Sequence, residues 1–169
     1  MELKESKIFE TLYACGAITK KSILKCGGDE DTIILLMEKK FIKKHRSEVK
    51  DTAIAVYTLS KQGEKYYTEQ TTKKHFYRCV NFKNAVRISY IYIDLSDEEK
   101  NTWKNKDEWL IEYNDSSVPD ATFEKDNITT AIAVMKKEEK NNKIKDLKKF
   151  AEVQRISKFK IMYYDNEEK

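Results

Sequence analysis

Apolar residues recur at helical spacing near the start of the chain, where Ile8, Phe9, Leu12 and Tyr13 lie between Ser6, a candidate N-cap, and Gly16, a candidate terminator. Ala17-Ile18-Thr19 reads as a connector, and Thr19 as the cap of a second helix, Lys20 to Cys26, with Ile23 and Leu24 facing inward. Gly27-Gly28 makes a turn. Asp29 to Lys40 then reads as a third helix, and its apolar run Ile33-Ile34-Leu35-Leu36-Met37 is wider than one buried stripe requires. Beyond it the period changes. Phe41 to Arg46 and Ile54 to Leu59 flank the polar span Ser47 to Thr52, which predicts a β-hairpin. Ser60 is placed to cap a helix from Lys61 to Tyr67, with Glu64 in its first turns.

This order predicts a winged helix-turn-helix over residues 1–70, with the third helix in the recognition position. Residues 71–95 read as a connecting helix, in which Phe76, Val80, Val86 and Tyr90 keep one face partly apolar. Its last part, Val86 to Ile93, alternates strictly and fits a strand equally well. With no Pro/Gly/Ser-rich segment nearby, the helix would bridge two halves without a flexible linker. Over residues 96–169 a small α/β domain is expected. Ser96 caps a polar turn or short helix, Glu108 to Tyr113 reads as a strand, and Asn114 to Ser117 as a turn. A strand follows at Ile128 to Met135, then an amphipathic helix, Asn142 to Arg155, burying Ile144, Leu147, Phe150 and Ala151 while Lys143, Lys145, Lys148 and Lys149 face water. Lys158 to Tyr164 alternates as an edge strand, and Asp165 to Lys169 should fray. The predicted class is α+β: an N-terminal winged helix-turn-helix joined by a long helix to a small mixed domain.

A chain of 169 residues, 40% hydrophobic, can bury a core in each part. No wholly apolar run is longer than that of Ile33 to Met37, which falls far short of the roughly 20 residues that span a bilayer. Met1 to Glu5 lacks the apolar core of a signal peptide, so no membrane partner and a cytoplasmic location are expected. Cys15, Cys26 and Cys79 have no paired spacing, which argues against a disulfide framework or zinc site; they read as small buried apolar residues. His45 and His75 have no nucleophile beside them. No cofactor is implied.

The net charge of +4 is too small to imply nucleic acid, but its distribution is uneven. Gln70 to Ile93 holds Lys73, Lys74, Arg78, Lys83 and Arg87 without an acid, whereas Asp94 to Asn127 carries eleven acids against four lysines. Within the third helix Asp29, Glu30 and Asp31 suit a helix N-terminus and oppose DNA. Only Thr32, Lys39 and Lys40 there are contact candidates. Basic candidates lie on the second helix, as Lys20, Lys21 and Lys25, and on the wing, as Lys43, Lys44, His45, Arg46 and Lys50. Such residues would neutralise phosphates, which positions a protein without specifying sequence.

A second informative stretch is Val118-Pro119-Asp120-Ala121-Thr122-Phe123, followed by the strand ending at Met135 and then Lys136-Lys137. A carboxylate after a proline, then a strand ending in lysine, is the order of the PD-(D/E)xK nuclease core, where two carboxylates hold a divalent metal and a lysine activates water. A turn closed by the aspartate side chain accounts for Pro119-Asp120 equally well. Together with Tyr57-Thr58-Leu59-Ser60-Lys61-Gln62-Gly63, matching a "Y-x-L-S-x-x-G" winged-helix close, and with Trp109 to Glu112, this order resembles the replication-relaxation proteins of bacterial mobile elements, which carry a nuclease-like second domain. The second carboxylate of the nuclease pattern falls on Val134 or Met135, neither of which binds a hard cation. Asp120 and Glu112 alone would leave the site incomplete unless Glu138 or Glu139 swings in.

The resemblance therefore implies a non-catalytic DNA-binding protein of a plasmid, phage or transposon, serving as a regulator or as an accessory in replication or transfer. Its expected partners are double-stranded DNA and a second copy or other proteins of the same element. One alternative is a metal-dependent nuclease using Asp120 and Lys137. Another is a winged-helix module that binds protein through its apolar third helix and does not bind DNA.

Overall fold

The helical spacing of Ile8, Phe9 and Leu12 produces α1, Leu3–Cys15, in the computed structural model, which describes residues 2–49, 52–73, 76–79, 81–113 and 117–164. The cap is not Ser6. Glu2 and Glu5 form a reciprocal capping box one turn earlier, satisfying backbone donors at the helix start. Gly16 ends the helix at φ 76°, and a Cβ there would stand 2.6 Å from the Tyr77 carbonyl oxygen. Only glycine combines that conformation with that closeness.

The chain is α+β and divides into two compact units between Asp94 and Leu95. In the first, α1 is followed by β1 (Ile18–Thr19), α2 (Lys20–Lys25), α3 (Glu30–Glu38), β2 (Ile42–Val49), β3 (Thr52–Leu59), α4 (Lys61–Gln70) and α5 (Phe82–Ile93). The three strands form one antiparallel sheet in the order β1-β3-β2, with β2 and β3 in register from Ile42↔Leu59 to Val49↔Thr52. Thr19 caps α2, Asp29 caps α3 and Ser60 caps α4, each accepting from a backbone N–H of the first turn. Ile8, Phe9 and Leu12 of α1 are buried, as are Ile23 and Leu36, and Val56 of β3 clusters with Ala17, Ala85 and Val86. Phe9 stacks on Tyr67 at 5.8 Å and Phe41 on Tyr66 at 4.4 Å, which seats α4.

Further sequence expectations are corrected in this unit. Residues 71–73, 76–79 and 81 are not helical, and the helix expected from Thr72 begins only at Phe82, where the Asn81 side chain accepts from Lys83 and Asn84 N–H. It is also no strand and no bridging rod, because Ala85, Val86, Ile88, Ser89, Ile91 and Tyr92 are buried within the first unit. Tyr90 Oη reaches Thr19 at 3.3 Å, Ser89 reaches Ser22 at 3.4 Å, and Tyr92 donates to Glu10 at 2.9 Å. The face read as a connector's stripe is a core face. Leu24, expected to face inward, is exposed.

The second unit contains α6 (Asp97–Asn101), β4 (Lys104–Asn105), α7 (Lys106–Tyr113), β5 (Ala121–Lys125), β6 (Ile128–Lys136), a 3-10 turn at Lys137–Glu139, α8 (Lys140–Gln154) and β7 (Lys158–Tyr164). Its sheet runs β4-β5-β6-β7, antiparallel except for the parallel β6–β7 pair, which α8 connects. The segment Glu108–Tyr113, expected as a strand, is helical. Asn105 and Glu108 exchange side-chain-to-backbone hydrogen bonds at 3.1 and 2.7 Å, which starts a helix. Trp109 then packs edge-on against Phe150 of α8 at 5.1 Å, in a cluster with Val118, Ala131, Ala151 and Ile156. Leu147 joins Ala133 and Met135. All of Ala131 to Met135 is buried, so the middle of β6 is covered on both faces. Met1, Lys50, Asp51, Lys74, His75, Val80, Asn114 to Ser116 and Asp165 to Lys169 lie outside the described residues. Among the described residues, no helix is long and apolar enough to cross a membrane.

Candidate functional site

Successive residues of a strand point to opposite faces, so Lys44 and Arg46 of β2 share one face with their cross-strand partners Tyr57 and Ala55. Ala53, opposite Glu48, lies on that same face. The small alanines leave a shallow open concavity of about 440 Å³, bordered by Lys44, His45, Arg46 and Ala53 to Ala55. Lys43, Lys44 and Arg46 are exposed and form no ion pair among the described residues. His45 behaves differently: it turns onto Phe82, with ring centroids 5.0 Å apart, and its Nε2 lies 2.9 Å from Thr58 Oγ1. Lys50 lies outside the described residues.

Helices α2 and α3 offer less cationic surface than their sequence suggests. Lys20 is hydrogen-bonded to Glu30, whose carboxyl that bond and the ammonium charge hold below its ordinary range. Lys25 pairs with Asp94 at 2.8 Å, and Lys39 with Glu5 at 3.6 Å. Of the lysines on α2, Lys21 alone is exposed with no ion pair among the described residues. Thr32 is buried and belongs to the capping box with Asp29, whose Oδ1 accepts from its N–H at 2.7 Å; it cannot reach a ligand as expected. Lys40, exposed at the end of α3, takes the left-handed conformation with φ 56° that turns the chain into β2. Ile33 and Leu36 face the core, which leaves Asp31, Ile34, Leu35, Met37 and Glu38 to solvent.

In the second unit Asp120 does occupy a special position, immediately before β5, but its partners are structural. Its N–H donates to Ile132 O at 2.9 Å, and its Oδ2 accepts from Val134 N–H at 2.7 Å. Lys143 Nζ stands 3.4 Å from the same oxygen and donates to Val134 O at 2.9 Å. The first turns of α8, the end of β6 and the start of β5 are thereby tied together. Lys143 was expected in water, and nothing in its helical position marked it as the counter-ion. Lys137, the sequence candidate for water activation, is exposed on the 3-10 turn, and Glu112 is ion-paired with Lys104 on the solvent side of α7. Val134 contributes only backbone, and the Glu139 side chain lies outside the described residues. Among the described residues, no three His, Cys, Asp or Glu side chains converge as metal ligands.

No protein-family model, curated protein or solved structure matches this chain.

Proposed function

We propose that this chain is a non-catalytic DNA-binding accessory protein of a mobile element, with a winged helix in its first unit and a nuclease-like second unit whose acidic position has become structural. The observation that carries this reading is the β2 face, where the unpaired Lys44 and Arg46 flank an alanine-floored concavity, while Lys43, also unpaired, lies on the other face of the same strand. A flat floor with cations at its edge suits a phosphodiester chain, because the backbone can approach closely and each ammonium or guanidinium neutralises a phosphate. The order of α1, β1, α2, α3 and the β2–β3 hairpin, with β3 of the hairpin beside β1, is compatible with a winged helix and supports the same reading. In it the hairpin is the wing. Base readout by α3 is disfavoured, since Asp31, Ile34 and Glu38 present carboxylates and hydrocarbon where donors for base edges would be needed. Binding is therefore expected to follow charge and DNA shape more than sequence.

The test is fluorescence anisotropy on short duplexes across a salt series, comparing the wild type with a Lys43→Ala/Lys44→Ala/Arg46→Ala variant. Each lost phosphate contact should reduce the slope of log affinity against log salt by about 0.9, so the triple variant should lose roughly 2–3 in slope. Absence of binding at low salt, or an unchanged slope, would remove the wing from the mechanism. Magnesium should leave the DNA intact. Cleavage abolished by Asp120→Ala would instead establish the nuclease alternative.

A further inference from the structure

The outer face of α3 is unlike the surface around it. Ile34, Leu35 and Met37 are 53%, 42% and 39% exposed on one helix, while Ile33 and Leu36 of the same apolar run are buried. With 3.6 residues per turn, Asp31, Ile34, Leu35 and Glu38 fall on a single line opposite that core face. An apolar line with a carboxylate at each end is thus held outward by a rigid, doubly capped helix. Neither Asp31 nor Glu38 has a cationic partner among the described residues, whereas the neighbouring Glu30 and Asp29 are paired with Lys20 and Lys4. The two unpaired acids are the ones that bracket the hydrocarbon.

We propose that this face is a docking site for a short amphipathic helical segment of another protein, one whose apolar residues are flanked by lysine or arginine. Charge complementarity selects that occupant. A second copy of this chain packing α3 on α3 would set Asp31 and Glu38 against the same acids of its partner, and like charges across an interface oppose association. Size points the same way. A nine-residue helix presenting three apolar side chains is smaller than the roughly 20 residues per side of a standard stable interface, and matches helix recognition by anchors at i, i+3 and i+4. DNA is excluded by the sign of the charge. The inference is independent of the DNA reading, because it uses no residue of the hairpin.

The experiment is selection of displayed short peptides on the intact protein, followed by affinity measurement of the selected sequences as synthetic peptides. Peptides with apolar residues at helical spacing and flanking Lys or Arg should emerge. Their affinity should fall roughly tenfold or more on Ile34→Glu, as for a central anchor, and also on Asp31→Lys/Glu38→Lys. The second variant alters only exposed carboxylates and guards against misfolding of the first. Peptides that bind both variants as well as the wild type, or that carry no basic bias, would overturn the proposal, as would failure to select any. Sedimentation showing a dimer that Ile34→Glu dissolves would overturn it in favour of a second copy. Loss of DNA binding by the hairpin variant should leave peptide affinity unchanged, so failure of one reading does not touch the other.

Discussion

Removing Lys143 should destabilise the second unit more than any other single change to a charged side chain there. The Asp120 side chain is 5% exposed and that of Lys143 is 28% exposed. Lys143→Ala leaves the carboxylate buried with the Val134 N–H as the donor to its side chain among the described residues, and it deprives the Val134 carbonyl of the ammonium. Breaking a fully buried pair from one side costs roughly 3–5 kcal/mol. The partial exposure of Lys143 lets water replace some of the loss, which brings the expectation to about 2–3 kcal/mol. Asp120→Asn keeps an oxygen for the Val134 N–H and loses only the charge, so about 1–2 kcal/mol is expected. For a unit of this size each kcal/mol moves the midpoint by about 4–8 °C, so Lys143→Ala should lower the thermal transition by roughly 8–24 °C. The assay is thermal and urea unfolding of Asp120→Ala, Lys143→Ala and the double variant. In the double variant no buried charge is left alone, so its destabilisation should fall short of the sum of the two singles by about 1–2 kcal/mol. Additive effects would refute the pairing. A rise in the melting temperature of Lys143→Ala on adding magnesium, absent in the wild type, would show that the lysine stands where a cation can bind.

Gly63→Ala should cost roughly 1–3 kcal/mol by overpacking, since a Cβ would meet the Phe41 carbonyl oxygen at 2.1 Å; urea unfolding of the full chain checks it. Acid should weaken the fold through two capping carboxylates. Asp29 is held below its ordinary range mainly by the Thr32 hydroxyl, and Glu99 mainly by the Ser96 N–H. Their folded values lie below the unfolded ones, so this stability is present above the ordinary carboxylate range and is lost as pH falls below that range through the folded values. The urea midpoint should drop below about pH 4, and Glu99→Gln should flatten part of that fall. At the alkaline end the sign reverses. Tyr92 is pushed well up by burial and by the Glu10 carboxylate, so its contribution is complete below pH 10 and is lost as pH rises further. Burial likewise pushes the Cys15 thiol up, and Cys15 should react with a thiol reagent only on unfolding, at a rate that urea accelerates.

The local elements were legible where side chain and backbone decide matters within a few residues. Thr19, Ser60 and Ser96 announced their helices because each cap bond closes within three positions, whereas Asp29, read as the first residue of its helix, is its cap. Phe41 to Leu59 announced a hairpin because β-branched and aromatic runs flank a polar centre, but the strands run on into that centre, with Ser47 paired to Ile54 and Val49 to Thr52. Gly63 was legible as part of a motif, but its reason, the Phe41 carbonyl against α4, was not. The inward faces of α1 and α8 were legible too, since Phe9, Leu12, Leu147 and Phe150 are buried as their spacing predicts; what failed were inferences that turned on a particular distant partner. Glu108 to Tyr113 became helix because Trp109 finds Phe150 of α8. Val86 to Ile93 became part of a core because α1, α2 and β1 were there to receive it. Lys143 left water because Asp120 lay beneath it.

The same division runs through function. The sequence by itself determined that the third helix carries more hydrocarbon than one core stripe can bury, and that its flanking acids oppose DNA, since both are properties of spacing and charge along one helix. Only the tertiary structure decided which of the candidate cations remain unpaired, because ion pairs such as Lys20 with Glu30, Lys25 with Asp94 and Lys39 with Glu5 join residues from different elements. Which side of an amphipathic surface is core, and which lysine is a counter-ion, is settled by long-range packing, and a linear pattern carries no coordinate for that.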